Sequence, residues 1–146
     1  MNTTKKITSK NFLSHSEELT IKAGQYIGSM VQPGWNIYLS GTIGSGKTCI
    51  SRGIAKSLGM NETIKSPTYT IVETYHTNSV VINHFDFYRI QHPEELLLSG
   101  FCDYFDQHNS INIIEWPTKG GNILPPPDIA VKITNIDENR IINIKF

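Results

Sequence analysis

With 146 residues, 38% hydrophobic and 18% charged, the chain has the size and make-up of one globular domain, 1–146, with a real core. Its thirteen basic and thirteen acidic side chains cancel, so no basic field equips it to bind nucleic acid strongly by itself. No signal peptide or membrane-spanning apolar run is evident, and Cys49 and Cys102 form no C-x-x-C; a cytoplasmic protein in a reducing compartment, without membrane association, is expected.

In chain order, Ser14-His15-Ser16-Glu17 fits a capping box and predicts a helix running to about Met30. Pro33-Gly34 is a turn signal. Trp35 to Leu39 reads as a strand, and Ile50 to Leu58 as a helix that Gly59 can end. Thr68 to Tyr75 and Val80 to Phe87 are dense in β-branched and aromatic residues, and the short turn between them, His76 to Ser79, suits a hairpin. Pro93 at a first helical position opens a short helix through Glu94-Glu95-Leu96. Ile111 to Ile114 is a further strand. Pro125-Pro126-Pro127 is a stiff connection, and Asp128 to Thr134 with Arg140 to Phe146 make a closing pair of strands. The expected fold is α/β: a P-loop NTPase-like three-layer arrangement around a central mixed sheet.

Between the strand ending at Leu39 and the helix containing Ile50 lies Gly41-Thr42-Ile43-Gly44-Ser45-Gly46-Lys47-Thr48. This is G-x-x-x-x-G-K-T, the phosphate-binding P-loop, in the strand-to-helix setting the motif requires. An ordinary glycine-rich turn is the alternative, but the bare pattern arises by chance in roughly one chain of this length in a few hundred. The glycines let backbone N–H groups close around a polyphosphate, and the helix N-terminus adds its orphan donors and positive dipole end. Gly41, Gly44, Ser45, Gly46, Lys47, Thr48 and Cys49 are therefore the candidate ATP-binding residues. Lys47 would reach the β and γ phosphates, and the Thr48 hydroxyl would ligate Mg²⁺. Cys49 would act there through its backbone N–H more than its thiol, and a small packed residue is the simpler reading of its side chain.

A P-loop enzyme also needs acids near that threonine to hold Mg²⁺ and direct the attacking water. Asp86 and Glu115 each end a predicted strand and are the candidates; either alone could equally be a solvated strand-end acid. His84 could join Asp86 as a metal ligand, although a hydrogen-bonded strand histidine is the simpler reading. Trp116 could pack on the nucleotide or in the core.

Several classes of P-loop protein fit these features. A small-molecule or nucleotide kinase usually rings the transferred phosphoryl group with arginines, whereas this chain has only Arg52, Arg89 and Arg140. A GTPase usually carries Asn-Lys-x-Asp, and no Asn-Lys pair occurs. An ATPase serving a partner and a non-hydrolysing nucleotide-gated scaffold remain.

The segments GTIGSGKT, SPTYTIVETY, HFDFYRIQHPEEL, DYF, IIEWP and LPPPD, in that order, resemble the TsaE (YjeE) family of bacterial ATPases, from about Trp35 to Asp128. The resemblance implies a part in making threonylcarbamoyladenosine in tRNAs that read codons beginning with A, together with TsaD and TsaB, so that tRNA is met through the complex. It further implies that Lys47 and Thr48 bind phosphate and Mg²⁺, that Asp86 and Glu115 serve metal and hydrolysis with Glu115 nearer the chemistry, and that Ser66-Pro67-Thr68 form a switch-like segment near Trp116. The chain departs from the family pattern at Thr42, commonly Asp, and Cys49, commonly Thr. With so few arginines, hydrolysis is expected to be slow alone and stimulated by the partner complex. Arg89, just beyond Asp86, is the arginine expected to bridge site and partner.

Overall fold

The structure, a computed structural model, describes residues 6–65 and 70–146. Seven strands form one mixed sheet: β1 (Ser9–Ser14), β2 (Asn36–Ser40), β3 (Val72–His76), β4 (Val81–Asp86), β5 (Ser110–Glu115), β6 (Ile129–Ile136) and β7 (Asn139–Lys145), in the order β1-β7-β6-β2-β5-β4-β3. The central four, β6, β2, β5 and β4, run parallel, while β3, β7 and β1 add antiparallel edges. Strand β5 is buried at every position and β2 at most, as strands covered on both faces must be.

Helices α1 (Glu17–Met30) and α2 (Lys47–Ser57) cover one face. Ile37 and Leu39 of β2, Ile82 of β4 and Ile111 and Ile113 of β5 meet Ala23, Ile27, Ile50 and Ile54 in the larger core cluster. The opposite face is covered by a short helix, α3 (Glu94–Leu98), and two 3₁₀ segments, Phe101–Asp106 and Pro117–Ile123. Phe85 is its centre, touching Phe87, Phe101, Tyr104 and Phe105 at ring-centroid distances of 5.3–6.4 Å. Alternation along each strand thus divides its side chains between two cores.

Some local expectations change. The cap of α1 is Ser16, whose Oγ accepts from the Leu19 N–H at 3.1 Å, and not Ser14. Ser14 is still paired with Arg140 as the last residue of β1, so the helix cannot begin before that extended backbone ends. Strand β3 starts at Val72; Ser66, Pro67, Thr68 and the start of the predicted strand lie outside the described residues. Pro93 has helical dihedrals, φ −55° and ψ −31°, but sits one place before the first residue of α3. Strand β1 had no counterpart among the predicted elements.

Candidate functional site

Parallel α/β sheets bind ligands beyond the carboxyl ends of their strands, where the strand order reverses direction. Here that point is the end of β2. The chain leaves β2 toward α2, β3 and β4 on one side, and after β5 crosses to β6 on the other. The P-loop fills this crevice.

Gly44 and Gly46 take positive φ, +73° and +111°. This left-handed geometry, disfavoured for any residue with a Cβ, tightens the loop and hands it to α2. No side chain caps α2, whose N-cap is Gly46. The first turn of α2 thus borders the crevice at the positive end of the helix dipole. Lys47 Nζ donates to the Gly41 and Thr42 carbonyls at 2.8 and 2.9 Å, spanning the loop from inside. Burial lowers the Lys47 ammonium from its ordinary pKa, while the Glu115 and then the Asp86 carboxylates push it back up. Ser45 Oγ is buried in the loop with no hydrogen-bond partner.

Across the crevice, Asp86 and Glu115 are register neighbours at the ends of β4 and β5. Residue Leu39 of β2 is the register partner of Glu115 on its other side. Asp86 Oδ1 accepts from the Tyr88 N–H at 3.0 Å. Burial raises the Asp86 carboxyl above its usual pKa, and Glu115 adds to this; the Tyr88 N–H, then His84 and Lys47, oppose it. Glu115, only 3% exposed, meets fully buried His84 with Oε2 2.5 Å from Nε2. His84 is thus the hydrogen-bonded strand histidine rather than a residue facing the loop. Trp116, directly after Glu115, adopts φ 58° and ψ 51°. Such a conformation is uncommon outside glycine and concentrates at functional sites. It brings the indole within 4.4 Å of Lys47 Nζ and 5.2 Å of the Tyr88 ring.

These groups line one open cavity of about 370 Å³, walled by Gly44 to Cys49, Asp86, Glu115 and Trp116, with Ile43, Tyr88 and Arg140. Nearly all the residues singled out from the sequence converge there. Gly41 does not line the cavity; it holds Lys47 through its carbonyl, and a Cβ on it would come 2.5 Å from Ser45 Oγ. Arg89 is exposed and is not among the lining residues. The arginine in the wall is Arg140 of β7. Its Nη1 donates to Thr20 Oγ1 of α1 at 3.3 Å and lies 2.8 Å from where a Gly46 Cβ would be. The scarcity of arginine was the one signal that could have flagged it. Thr48, Asp86 and Glu115 supply only hard oxygen donors, and among the described residues no three His, Cys, Asp or Glu side chains are grouped to hold a metal by themselves. That donor set fits Mg²⁺, which is usually held by one or two carboxylates plus substrate phosphates.

Residues 14–142 match the family described as Threonylcarbamoyl adenosine biosynthesis protein TsaE. The chain is similar to the tRNA threonylcarbamoyladenosine biosynthesis protein TsaE of Haemophilus influenzae, 46% identical over 108 residues, 74% of this chain and 68% of that protein. The protein of the same name from Rickettsia felis is 35% identical over 127 residues, 86% of this chain and 73% of that protein. Among solved structures, Bacillus subtilis YdiB superposes with a TM-score of 0.77 at 23% identity, over 97% of this chain and 88% of that one, and supports the fold.

Proposed function

The chain belongs to the TsaE family, and from that premise we propose that it is a Mg²⁺-dependent ATPase acting in threonylcarbamoyladenosine biosynthesis on tRNA, with TsaD and TsaB as partners. One observation supports the ATPase reading above all. An uncapped helix N-terminus carrying Lys47 and Thr48 faces two carboxylates, Asp86 and Glu115, held in register on adjacent parallel strands.

In this reading the P-loop amides and Lys47 bind the polyphosphate, with charge-assisted hydrogen bonds roughly twice as strong as neutral ones. Thr48, Asp86 and Glu115 would hold the metal, which would neutralise charge developing on the transferred phosphoryl oxygens. Glu115 also orients the attacking water. Trp116 closes the cavity against Lys47, a wall on which a base or ribose can rest. Arg140 contributes positive charge from behind the P-loop, the one arginine lining the cavity.

A neutral chain with a single arginine in the cavity wall has little with which to stabilise the transition state unaided. Slow turnover alone, raised by the partner complex, follows; arginines supplied in trans are worth ~10³–10⁵ in rate in other P-loop systems. The balanced charge also fits a protein that meets tRNA through TsaD and TsaB rather than directly. No helix among the described residues is long and apolar enough to cross a membrane, in keeping with work in the cytoplasm.

The test is ATP binding and turnover, alone and with TsaD–TsaB, for the wild type, Lys47→Ala and Glu115→Ala. Lys47→Ala should lose ATP affinity, and Glu115→Ala should keep it and lose turnover. Copurification with TsaD and TsaB should depend on ATP. Full-speed turnover unaffected by the partners would favour an independent kinase-like enzyme, and ATP binding without hydrolysis in any combination would favour a nucleotide-gated scaffold.

A further inference from the structure

The contact between His84 and Glu115 is buried on both sides, and it joins a residue placed in the chemistry to one that does not line the cavity. His84 lies two residues before Asp86 on β4, on the same sheet face as Asp86, with Ile113 of β5 and Glu73 of β3 as its register neighbours. Its ring makes one polar contact, Nε2 to Glu115 Oε2, while Nδ1 is buried with no partner.

That asymmetry fixes the ring. A hydrogen on Nδ1 would be a buried donor without an acceptor, the arrangement native interiors avoid most consistently. A bare Nδ1 lone pair is the lesser loss, so the hydrogen sits on Nε2 and points at Glu115. The carboxylate thereby gains a buried donor at Oε2.

We propose that His84 is a positioning residue: it holds Oε2 of Glu115 and thereby sets the orientation in which the other carboxylate oxygen, Oε1, serves the nucleotide cavity. Buried partners of this kind fix the rotation of a functional carboxylate much as outer-shell groups orient metal ligands. The inference rests on Glu115 serving metal or water, as argued above. A role confined to packing would not need the 2.5 Å contact.

Replacement by glutamine and by asparagine separates the two roles. Glutamine can place an amide N–H where Nε2 lies, whereas the shorter asparagine reaches only as far as Nδ1. With the full-length protein, Mn²⁺ affinity in the presence of ADP, read by electron paramagnetic resonance, is compared with kcat and KM for ATP in the wild type, His84→Gln, His84→Asn and Glu115→Gln. In His84→Asn, Mn²⁺ affinity and kcat should fall ~10–100-fold while KM for ATP stays within about twofold, and His84→Gln should recover most of the loss. In the wild type, long-range ¹H–¹⁵N correlation should show the ring hydrogen on Nε2.

A ring hydrogen on Nδ1 overturns the proposal without any variant. So does a His84→Asn protein that only melts earlier, with turnover and Mn²⁺ affinity unchanged below its melting point. If His84→Asn does not fold, a folded His84→Gln that turns over as slowly as Glu115→Gln overturns it as well. Normal turnover in Glu115→Gln removes the reading of Glu115 itself; an impaired Glu115→Gln beside an unimpaired His84→Asn removes only the role of His84.

Discussion

Gly53→Ala sets two effects of opposite sign against each other. In an exposed helix the change would stabilise by ~0.5–1 kcal/mol, because glycine forfeits more backbone entropy. Gly53 sits where α2 crosses α1, and a Cβ there would lie 2.1 Å from the Ile21 carbonyl oxygen, 2.8 Å from Gly24 Cα and 2.9 Å from the Gln25 nitrogen. The first contact is more than an ångström inside the ~3.5 Å of ordinary non-bonded approach. All three atoms are backbone, so no rotamer change relieves them and the helices must separate. Overpacking costs ~1–3 kcal/mol, and rigid neighbours put this case at the upper end, for a net loss of about 2 kcal/mol. The thermal midpoint should fall by ~4–8 °C at this chain length, and urea denaturation should give the same energy. Gly24→Ala, facing the Ile50 carbonyl at 2.3 Å, should behave alike, whereas Gly28→Ala meets first the movable Ser57 hydroxyl and should lose less. An unchanged or raised midpoint in Gly53→Ala would mean that the helix crossing has slack and that helix propensity decides.

Asp86→Asn should stabilise the ligand-free fold by roughly 0.5–2 kcal/mol at neutral pH, the common signature of a strained functional residue, while weakening Mg²⁺-dependent ATP binding. Because burial raises the Asp86 pKa, this group favours the fold when protonated and that stabilisation is lost as pH rises through the raised value; urea midpoints of both proteins across the acid range should converge at low pH, and parallel curves would refute the assignment. The Tyr38 phenol is pushed up from 10.0 to about 12, first by burial and then by Asp128, so its contribution is complete below the unfolded value and fades as pH climbs through the folded one. Tyr38→Phe, which loses the hydroxyl's bond to the Pro125 carbonyl, should cost ~1 kcal/mol at neutral pH and show a shallower alkaline loss in urea titrations; identical alkaline slopes would count against it.

The P-loop was legible because each of its residues answers to local chemistry at a fixed spacing. The acids were legible as candidates because strand patterns end where Asp86 and Glu115 stand; their adjacency was not, because it depends on β4 lying beside β5. Strand β1 was not, since SKNFLS is polar and mostly exposed and becomes a strand only by pairing with β7, at the far end of the chain. The same long-range pairing decides which of two nearby serines caps α1, and brings Arg140 rather than Arg89 to the cavity. His84 was recognisable as a strand residue, but its partner depended on the β4–β5 register.

That register has its own determinant on the other side of the sheet. Thr74 Oγ1 donates to Asn83 Oδ1 at 3.0 Å, Asn83 Nδ2 to Asn112 Oδ1 at 3.0 Å, and Asn112 Nδ2 to Asn36 Oδ1 at 2.9 Å. The row crosses β3, β4, β5 and β2 among register neighbours, and its three asparagines are buried. Buried amides left unpaired cost ~1–3 kcal/mol each. A one-residue slip between β4 and β5 would break their link and also turn one strand's side chains to the wrong face. Strand alternation puts Asn83 and Asn112 on the face opposite His84, Asp86 and Glu115. The polar row that fixes strand register therefore also fixes the opposition of the two carboxylates, and it does so from behind the sheet, where it takes no part in binding.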